Sequence, residues 1–429
     1  MIREINLYRF SEKIFLIGIF LLASAMSIGI IFILIATIIS FFDRQKNYLD
    51  DKWSLSLTMI SLFMLISCIV QTFRYSETVI YGWDISLTWI GLLNWIPLFY
   101  IFISTKSFLE SSSQRLNVAI CLFSGSIPVI VTGLGQYFFN WEGPFSFSNG
   151  LIIWYLKSIE PHLGLSGLFS NQNYAGTWLS LIWPFSLGFI YLNKNNKFKK
   201  LLSLLFLIII TSTIVLTTSR NAILGISIAF TFLLGLKGIF IIASFIIFNV
   251  TLFSLGQYIP LISTFNESLL SLIPEQFINK FSNLRISNFL EFRRINLWNN
   301  SIKLISSRPI FGLGASFFPI LYEIYYNPIN YTEQHTHNLF LELAAAYGFL
   351  VSLSILLFII SLIVLASKSL QSNNLCFFDE IINKCWIASS FIIILSQMND
   401  VTYYDGRISV IYWILLSGLR NITISEVKN

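Results

Sequence analysis

Apolar residues fall in runs of membrane-crossing length, separated by short polar breaks that hold most of the charges. A bilayer core about 30 Å thick takes roughly 20 apolar residues of helix, fewer where a helix is packed inside a bundle or only partly crosses. That measure predicts spans over 53–71, 88–104, 117–139, 174–192, 201–216, 222–236, 239–255, 343–366, 385–397 and 408–419. The last two are short. The run 14–42 is too long for one upright helix and short for two.

Charge decides between these. Lys194, Lys197, Lys199 and Lys200 crowd one short loop, which the positive-inside rule assigns to the cytoplasm. Alternating from there, the loops with Arg44, Lys46 and Lys52, with Lys106 and Arg115, with Lys237, and with Lys368 and Lys384 also fall inside. A single helix over 14–42 would put the basic start of the chain, Arg3, Arg9 and Lys13, outside. Two helices turning near Ser27 and Gly29 return it to the cytoplasm and give about twelve spans, with eleven as the other count. A cleaved signal peptide ending near Ala23, Ser24 and Ala25 is the rival reading, and the apolar run continuing to Phe42 argues against it. The fold class expected is all-α: a polytopic helical bundle with a large outer loop region containing short helices. The chain divides into amino-terminal spans over 1–139 and a region over 140–429 that includes the outer loop 257–338.

Composition agrees. Hydrophobic residues make up 55% of the 429 and charged residues 11%, against about 25% charged in soluble proteins. With a mean hydropathy of +0.73, this excludes an ordinary soluble enzyme. The net charge of +6 implies no nucleic-acid partner. Cys68 and Cys121 lie in apolar runs and Cys376 and Cys385 flank a polar loop, so neither a zinc site nor a disulfide scaffold is expected.

Polar chemistry is therefore confined to loops and helix ends. Arg220 follows Thr217-Thr218-Ser219 in a tight outer turn, where a guanidinium can grip phosphate oxygens in a fork or simply snorkel to the interface. In the outer loop, Lys280, Arg285, Arg293, Arg294, Lys303 and Arg308 are balanced by Glu267, Glu275, Glu291, Glu323 and Glu333, so any anion site there must be local. Arg294 and Trp298, four apart, share a helix face: the guanidinium is placed for a phosphate and the indole for the interface. A surface pair of Glu291 with Arg294 is the alternative. His335 and His337, before Asn338 and an apolar helix, offer a general base near neutral pH. A structural histidine competes with that reading, and a metal would need a third ligand from Glu333 or His162. Phe311-Gly312-Leu313-Gly314 lacks the strand and lysine of a nucleotide loop and reads as a backbone turn after Pro309. Asp400 and Arg407 bracket a polar turn that pairs internally or orients a neighbour.

In order, these pieces resemble the O-antigen ligase and O-antigen polymerase superfamily of bacterial membrane glycosyltransferases. The matching motifs are Gly167-Leu168-Phe169-Ser170-Asn171-Gln172-Asn173, Thr218-Ser219-Arg220, Arg294 with Trp298, and Arg308-Pro309-Ile310-Phe311-Gly312-Leu313-Gly314. His335-Thr336-His337-Asn338-Leu339-Phe340-Leu341-Glu342, then Tyr347-Gly348, and the stretch from Asp400 to Arg407 complete the set. The resemblance covers roughly residues 160 to 420. It implies inverting, metal-independent transfer of a glycan from a polyprenyl diphosphate carrier to an acceptor hydroxyl, on a growing glycan or a lipid A core, at the periplasmic face of the inner membrane. It further implies that Arg220 and Arg294 hold the diphosphate, that His337 takes the acceptor proton, and that Asn173, Arg308, Glu342, His335 and Arg407 support them. No cofactor is implied. The resemblance does not separate ligase from polymerase. A transporter or flippase, including one for inorganic carbon, and a noncatalytic export scaffold are the competing classes. The gathering of polar groups on one face rather than at the midplane argues for an enzyme.

Overall fold

The computed structural model describes residues 2–43, 51–75, 82–159, 163–256, 258–271, 293–326, 333–371 and 375–424. The expectations at Arg44, Lys46, His162, Glu275, Lys280, Arg285 and Glu291 lie outside them. The described residues form a helical membrane bundle. Seven helices, counting kinked pairs as one, are long and apolar enough to cross a membrane, and shorter apolar helices accompany them.

The run 14–42 is two helices, α1 (Ile2–Leu21) and α2 (Met26–Asp43). The chain turns at residues 22–25, just ahead of the expected Ser27 and Gly29. Gly29 instead serves packing, because a Cβ built on it would lie 2.9 Å from the Gly18 carbonyl oxygen. Missing side chains at Gly18 and Gly29 let the two backbones touch.

Several predicted spans are broken. After α3 (Lys52–Tyr75), the span expected over 88–104 splits into α4 (Ser86–Gly91) and α5 (Ile96–Ser104), around a break at Trp95 just before Pro97. That over 117–139 splits into α6 (Ser112–Gly125) and α7 (Ile127–Phe139), where Pro128 cannot donate to the preceding turn. Asn140 ends α7 in the left-handed conformation. A short hairpin follows that the helical expectation did not include: β1 (Phe145–Phe147) pairs antiparallel with β2 (Ile152–Trp154). The positive φ of Ser148, Asn149 and Gly150 closes its turn, and the Trp154 indole donates to the Ser24 carbonyl at 2.8 Å, fixing the hairpin to the α1–α2 turn.

Then come α8 (Gln172–Leu192), α9 (Lys197–Leu216), α10 (Arg220–Leu234), α11 (Leu236–Gly256) and α12 (Pro260–Ser271). The outer loop region contributes α13 (Arg293–Ser306) and α14 (Phe318–Tyr326), short helices as expected. The span expected over 343–366 is two helices, α15 (Leu339–Tyr347) and α16 (Phe349–Ser369), separated at Gly348. Gly348 has φ +98°, and a Cβ there would lie 2.0 Å from the Ile310 carbonyl oxygen, so only glycine fits. The 308–314 stretch occupies that break. Leu313 N–H donates to Ala345 O and Phe349 N–H to Pro309 O, each at 2.7 Å. The Gln71 amide of α3 bonds Phe311 O and Ala346 O, joining both segments. The glycines of this stretch thus serve a backbone turn.

The short predicted spans at the end also lengthen. α17 (Phe377–Asn399) extends well before Cys385, and α18 (Gly406–Ile424) is buried from Arg407 to Thr423, the central helix rather than a lipid-facing one. Around it pack Trp95, Phe99, Phe102, Trp386 and Tyr403.

Candidate functional site

Asn173, His335, His337, Glu342 and Asp400 come together where α8, α15 and α17 begin or end, with the Arg220 turn of α10 and the Arg294 helix α13 packed around them. Each motif brings its own backbone device. Asn171 caps α8, its side-chain oxygen accepting from the backbone Asn173 N–H at 2.7 Å, which fixes the first turn that carries the Asn173 side chain. Ahead of it, Gln136 of α7 accepts from Ser166 and Gly167 N–H at 3.0 and 2.9 Å and holds the loop. Arg407 locks the same loop from the other side. Its Nη1 donates to Leu168 O at 3.2 Å and its guanidinium lies 4.4 Å from the Phe169 ring centre. Buried against these groups, Arg407 holds the loop in place.

Arg220 stands exposed at the first turn of α10, after three buried residues, Thr217, Thr218 and Ser219. Thr218 has φ +53°, and its hydroxyl donates to Gln172 Oε1 at 3.2 Å. Gly164 lets the turn close, because a Cβ on it would lie 2.3 Å from the Thr217 carbonyl.

Asp400 caps the carboxy-terminal end of α17 and is the hub of the cluster. Asn173 Nδ2 donates to its Oδ2 at 2.8 Å, and its Oδ1 lies 2.9 Å from His337 Nδ1. Burial pushes its carboxyl pKa up, but the His337 hydrogen bond and the charges of His337, Arg294 and His335 outweigh that and hold it below the usual value. An ionised carboxylate only accepts, so His337 Nδ1 must donate, and in the neutral form of the ring Nε2 keeps the lone pair. Nε2 faces Glu333, whose Oε2 is 3.6 Å away, too long for a hydrogen bond but close enough to stabilise an imidazolium.

The loop carrying His337 is held against strain. His337 has φ +53°, a conformation costing of order 1–3 kcal/mol for a residue other than glycine. The buried Glu342 accepts from Thr336 N–H at 3.0 Å and from the Tyr404 hydroxyl at 3.3 Å. Asn338 caps α15 with its oxygen and donates its amide to Met398 O at 2.9 Å. Trp298, expected as an interfacial anchor, instead donates its indole N–H to Thr336 O at 3.1 Å, and so docks α13 on the histidine loop.

That docking brings in Arg294, one helical turn ahead of Trp298. Its charge acts on both Asp400 and Arg220. Arg294 thus links the Arg220 turn electrostatically with the Asp400–His337 pair. His335 stacks edge-on against His337 with ring centres 4.4 Å apart. Burial, then the His337 charge, lowers its pKa, so it stays neutral where an ordinary imidazole begins to protonate. Arg308 falls elsewhere: it is exposed, and its charge, with that of Arg74, acts on the Tyr75 phenol beside the Trp83–Phe317 stack.

Among the described residues there is one potential metal arrangement. Ligand atoms of His335, His337 and Asp400 lie within 4.8 Å of one another. Its third member is Asp400, expected only to bracket a polar turn, and not Glu333 or His162. A single acid closing a long apolar helix, between Gln397 and the Thr402 turn, was the available signal.

A search of curated proteins finds no match. The family model described as O-antigen ligase matches residues 204–356, a stretch that runs from α9 through the Arg220 turn, the Arg294 helix and the His337 loop into α16. Over that stretch, less than half of the chain, the protein is similar to the O-antigen ligase family, and the match supports a membrane glycosyltransferase of the ligase or polymerase type, acting in surface polysaccharide assembly.

Proposed function

We propose that this protein transfers a glycan, with inversion and without a metal, from a polyprenyl diphosphate carrier to an acceptor hydroxyl at the periplasmic face. The bundle then crosses the inner membrane twelve times, counting α4–α5, α6–α7 and α15–α16 as single crossings and α1, α2, α3, α8, α9, α10, α11, α17 and α18 as one each. Arg220 and Arg294 bind the diphosphate and neutralise the charge that develops on it. His337 Nε2 takes the acceptor proton while the acceptor oxygen bonds the anomeric carbon on the face opposite the leaving group. The bond from that carbon to the diphosphate oxygen breaks, and the electron pair leaves with the lipid diphosphate. Asp400 steadies the imidazolium, and Asn173 and Glu342 position Asp400 and the histidine loop.

The observation that carries this reading is the Asp400–His337 hydrogen bond, which leaves Nε2 of the neutral imidazole as an acceptor, with the Arg294 charge acting on the same Asp400 carboxylate. The test is a transfer assay with purified protein, a lipid-diphosphate-linked glycan and candidate acceptors, with and without chelator. Products extended repeatedly identify a polymerase, and single additions to a lipid acceptor a ligase. Replacement of Arg220 by Lys should lose much of the activity, because a point charge cannot reproduce the two-pronged contact; full activity would reduce Arg220 to an interfacial anchor.

The His335–His337–Asp400 spacing favours a second reading, in which a divalent cation neutralises the diphosphate. Loss of transfer on chelation, restored by one metal, would establish it in place of the first.

A further inference from the structure

At the opposite end of the bundle from His337, a half-enclosed cavity of about 250 Å³ opens between α8, the α10–α11 turn and the start of α17. We propose that it binds the headgroup of an anionic phospholipid from the cytoplasmic leaflet.

Its inner walls are apolar, with Leu187 from α8, Leu233 from α10 and Ile381 from α17. Its rim is charged, with Lys237, Lys384 and Glu380. Lys384 is held to Glu380 at 2.5 Å, so that pair is internally balanced. Lys237 adds an uncompensated positive charge to the lining, and Lys194, 4.6 Å from the Phe377 ring centre, adds another at the edge. The basic loop from Lys194 to Lys200 assigns this end to the cytoplasm, where anionic lipids give the membrane surface its negative potential.

Size selects what enters. At about 30 Å³ per water molecule, the cavity holds on the order of eight, enough for a phosphate and part of its glycerol but not for acyl chains. The chains have a path outside, along the exposed Leu236, Ile239 and Phe240 of α11. A free inorganic anion would satisfy the lysines and leave the Leu187, Leu233 and Ile381 walls wet, whereas a lipid covers both. Between Asn173 and Leu187, α8 rises by roughly 20 Å, so this site is separate from the transfer chemistry.

The test uses the purified full-length protein in phosphatidylcholine nanodiscs with and without phosphatidylglycerol, counting retained lipids by native mass spectrometry. Wild-type protein should retain phosphatidylglycerol over phosphatidylcholine. The double variant Lys194→Gln, Lys237→Gln should retain it about thirty-fold less tightly, with each lysine contributing about a five-fold share. The double variant Lys194→Arg, Lys237→Arg should keep it. Leu233→Trp, which fills the cavity without changing charge, should lose it. Monodisperse elution and intact glycan transfer, which depends on the far end of the bundle, report that each variant is folded. Equal phosphatidylglycerol retention by the wild type and the double glutamine variant would overturn the proposal. So would its full displacement by inorganic phosphate, which would mark a simple anion site.

Discussion

At the level of single residues, the proposed chemistry depends on one imidazole nitrogen and on what the other nitrogen touches. His337 Nδ1 is committed to Asp400, and Asp400 is pinned by Asn173, so the proton accounting of the site falls on Nε2 alone. Removing the base by His337→Ala should lower transfer by about 10²–10⁴-fold. Asp400→Asn removes the charge that steadies an imidazolium and lets the amide donate to Nδ1, which favours the wrong tautomer, so its loss should reach up to about 10⁴-fold and be carried by kcat rather than KM. Steady-state transfer assays on both variants check these losses, and an Asp400→Asn enzyme as fast as wild type would remove Asp400 from the mechanism. His335 makes a separate prediction. Its folded pKa lies below the ordinary imidazole value of 6.5, mainly through burial. A group depressed in this way contributes stability above its unfolded pKa and loses it as pH falls through the folded one, because the unfolded chain takes up a proton that the fold resists. The melting temperature of the wild type should therefore fall between pH 7 and pH 5 more steeply than that of His335→Phe, which keeps the ring contact with His337 and does not titrate. Parallel curves would mean that His335 protonates in the fold without cost.

At the level of elements, the breaks in the helices shape the site more than the helices do. Gly348 separates α15 from α16 so that α15 can turn toward the histidine loop, and the 308–314 stretch fills the resulting gap by main-chain hydrogen bonds. Gly348→Ala would press a methyl group into the Ile310 carbonyl in a conformation that side chains rarely adopt. The expected cost is about 3 kcal/mol or more, measured as a lowered melting temperature together with lost transfer. Unchanged stability would show that the break can relax. The same breaks explain what was legible in advance. Apolar runs revealed the helices, and the small residues between Ala23 and Gly29 marked the division of the first run. Hydropathy could not reveal that 343–366 is two helices, because Gly348 sits in an unbroken apolar run and its need for positive φ comes from a partner about forty residues earlier in sequence. Nor could it reveal the role of Trp298, since an indole at a helix end looks the same whether it meets lipid or the Thr336 carbonyl. Asp400 was legible as a costly acid at a helix end, but its pairing with His337 is a contact across 63 residues that no local pattern encodes.

At the level of the whole molecule, one question governs the proposal: which side of the membrane the Arg220–Arg294–His337 cluster faces. Charge in the loops places it opposite Lys194, Lys197, Lys199 and Lys200, and the fold ties two further landmarks to the two faces. The hairpin turn at Ser148–Gly150 is exposed and lies beyond the end of α7, on the same face as the Gly167–Asn173 loop, to which β2 is joined by the bond from Tyr155 N–H to Leu168 O. Cys376 is exposed at the start of α17, whose far end carries Asp400. A helix of 23 residues, rising about 1.5 Å per residue, separates Cys376 from Asp400 by roughly the thickness of the hydrocarbon core. The two landmarks must therefore label from opposite sides. In intact spheroplasts, a membrane-impermeant maleimide should modify Asn149→Cys, made in a Cys376→Ser background, and should leave the native Cys376 unmodified until the membrane is permeabilised. Cys68 and Cys385 are buried, so they add little background. The reverse labelling would turn the cluster toward the cytoplasm, and transfer at the periplasmic face would have to be given up, even if every side-chain contact around His337 were correct.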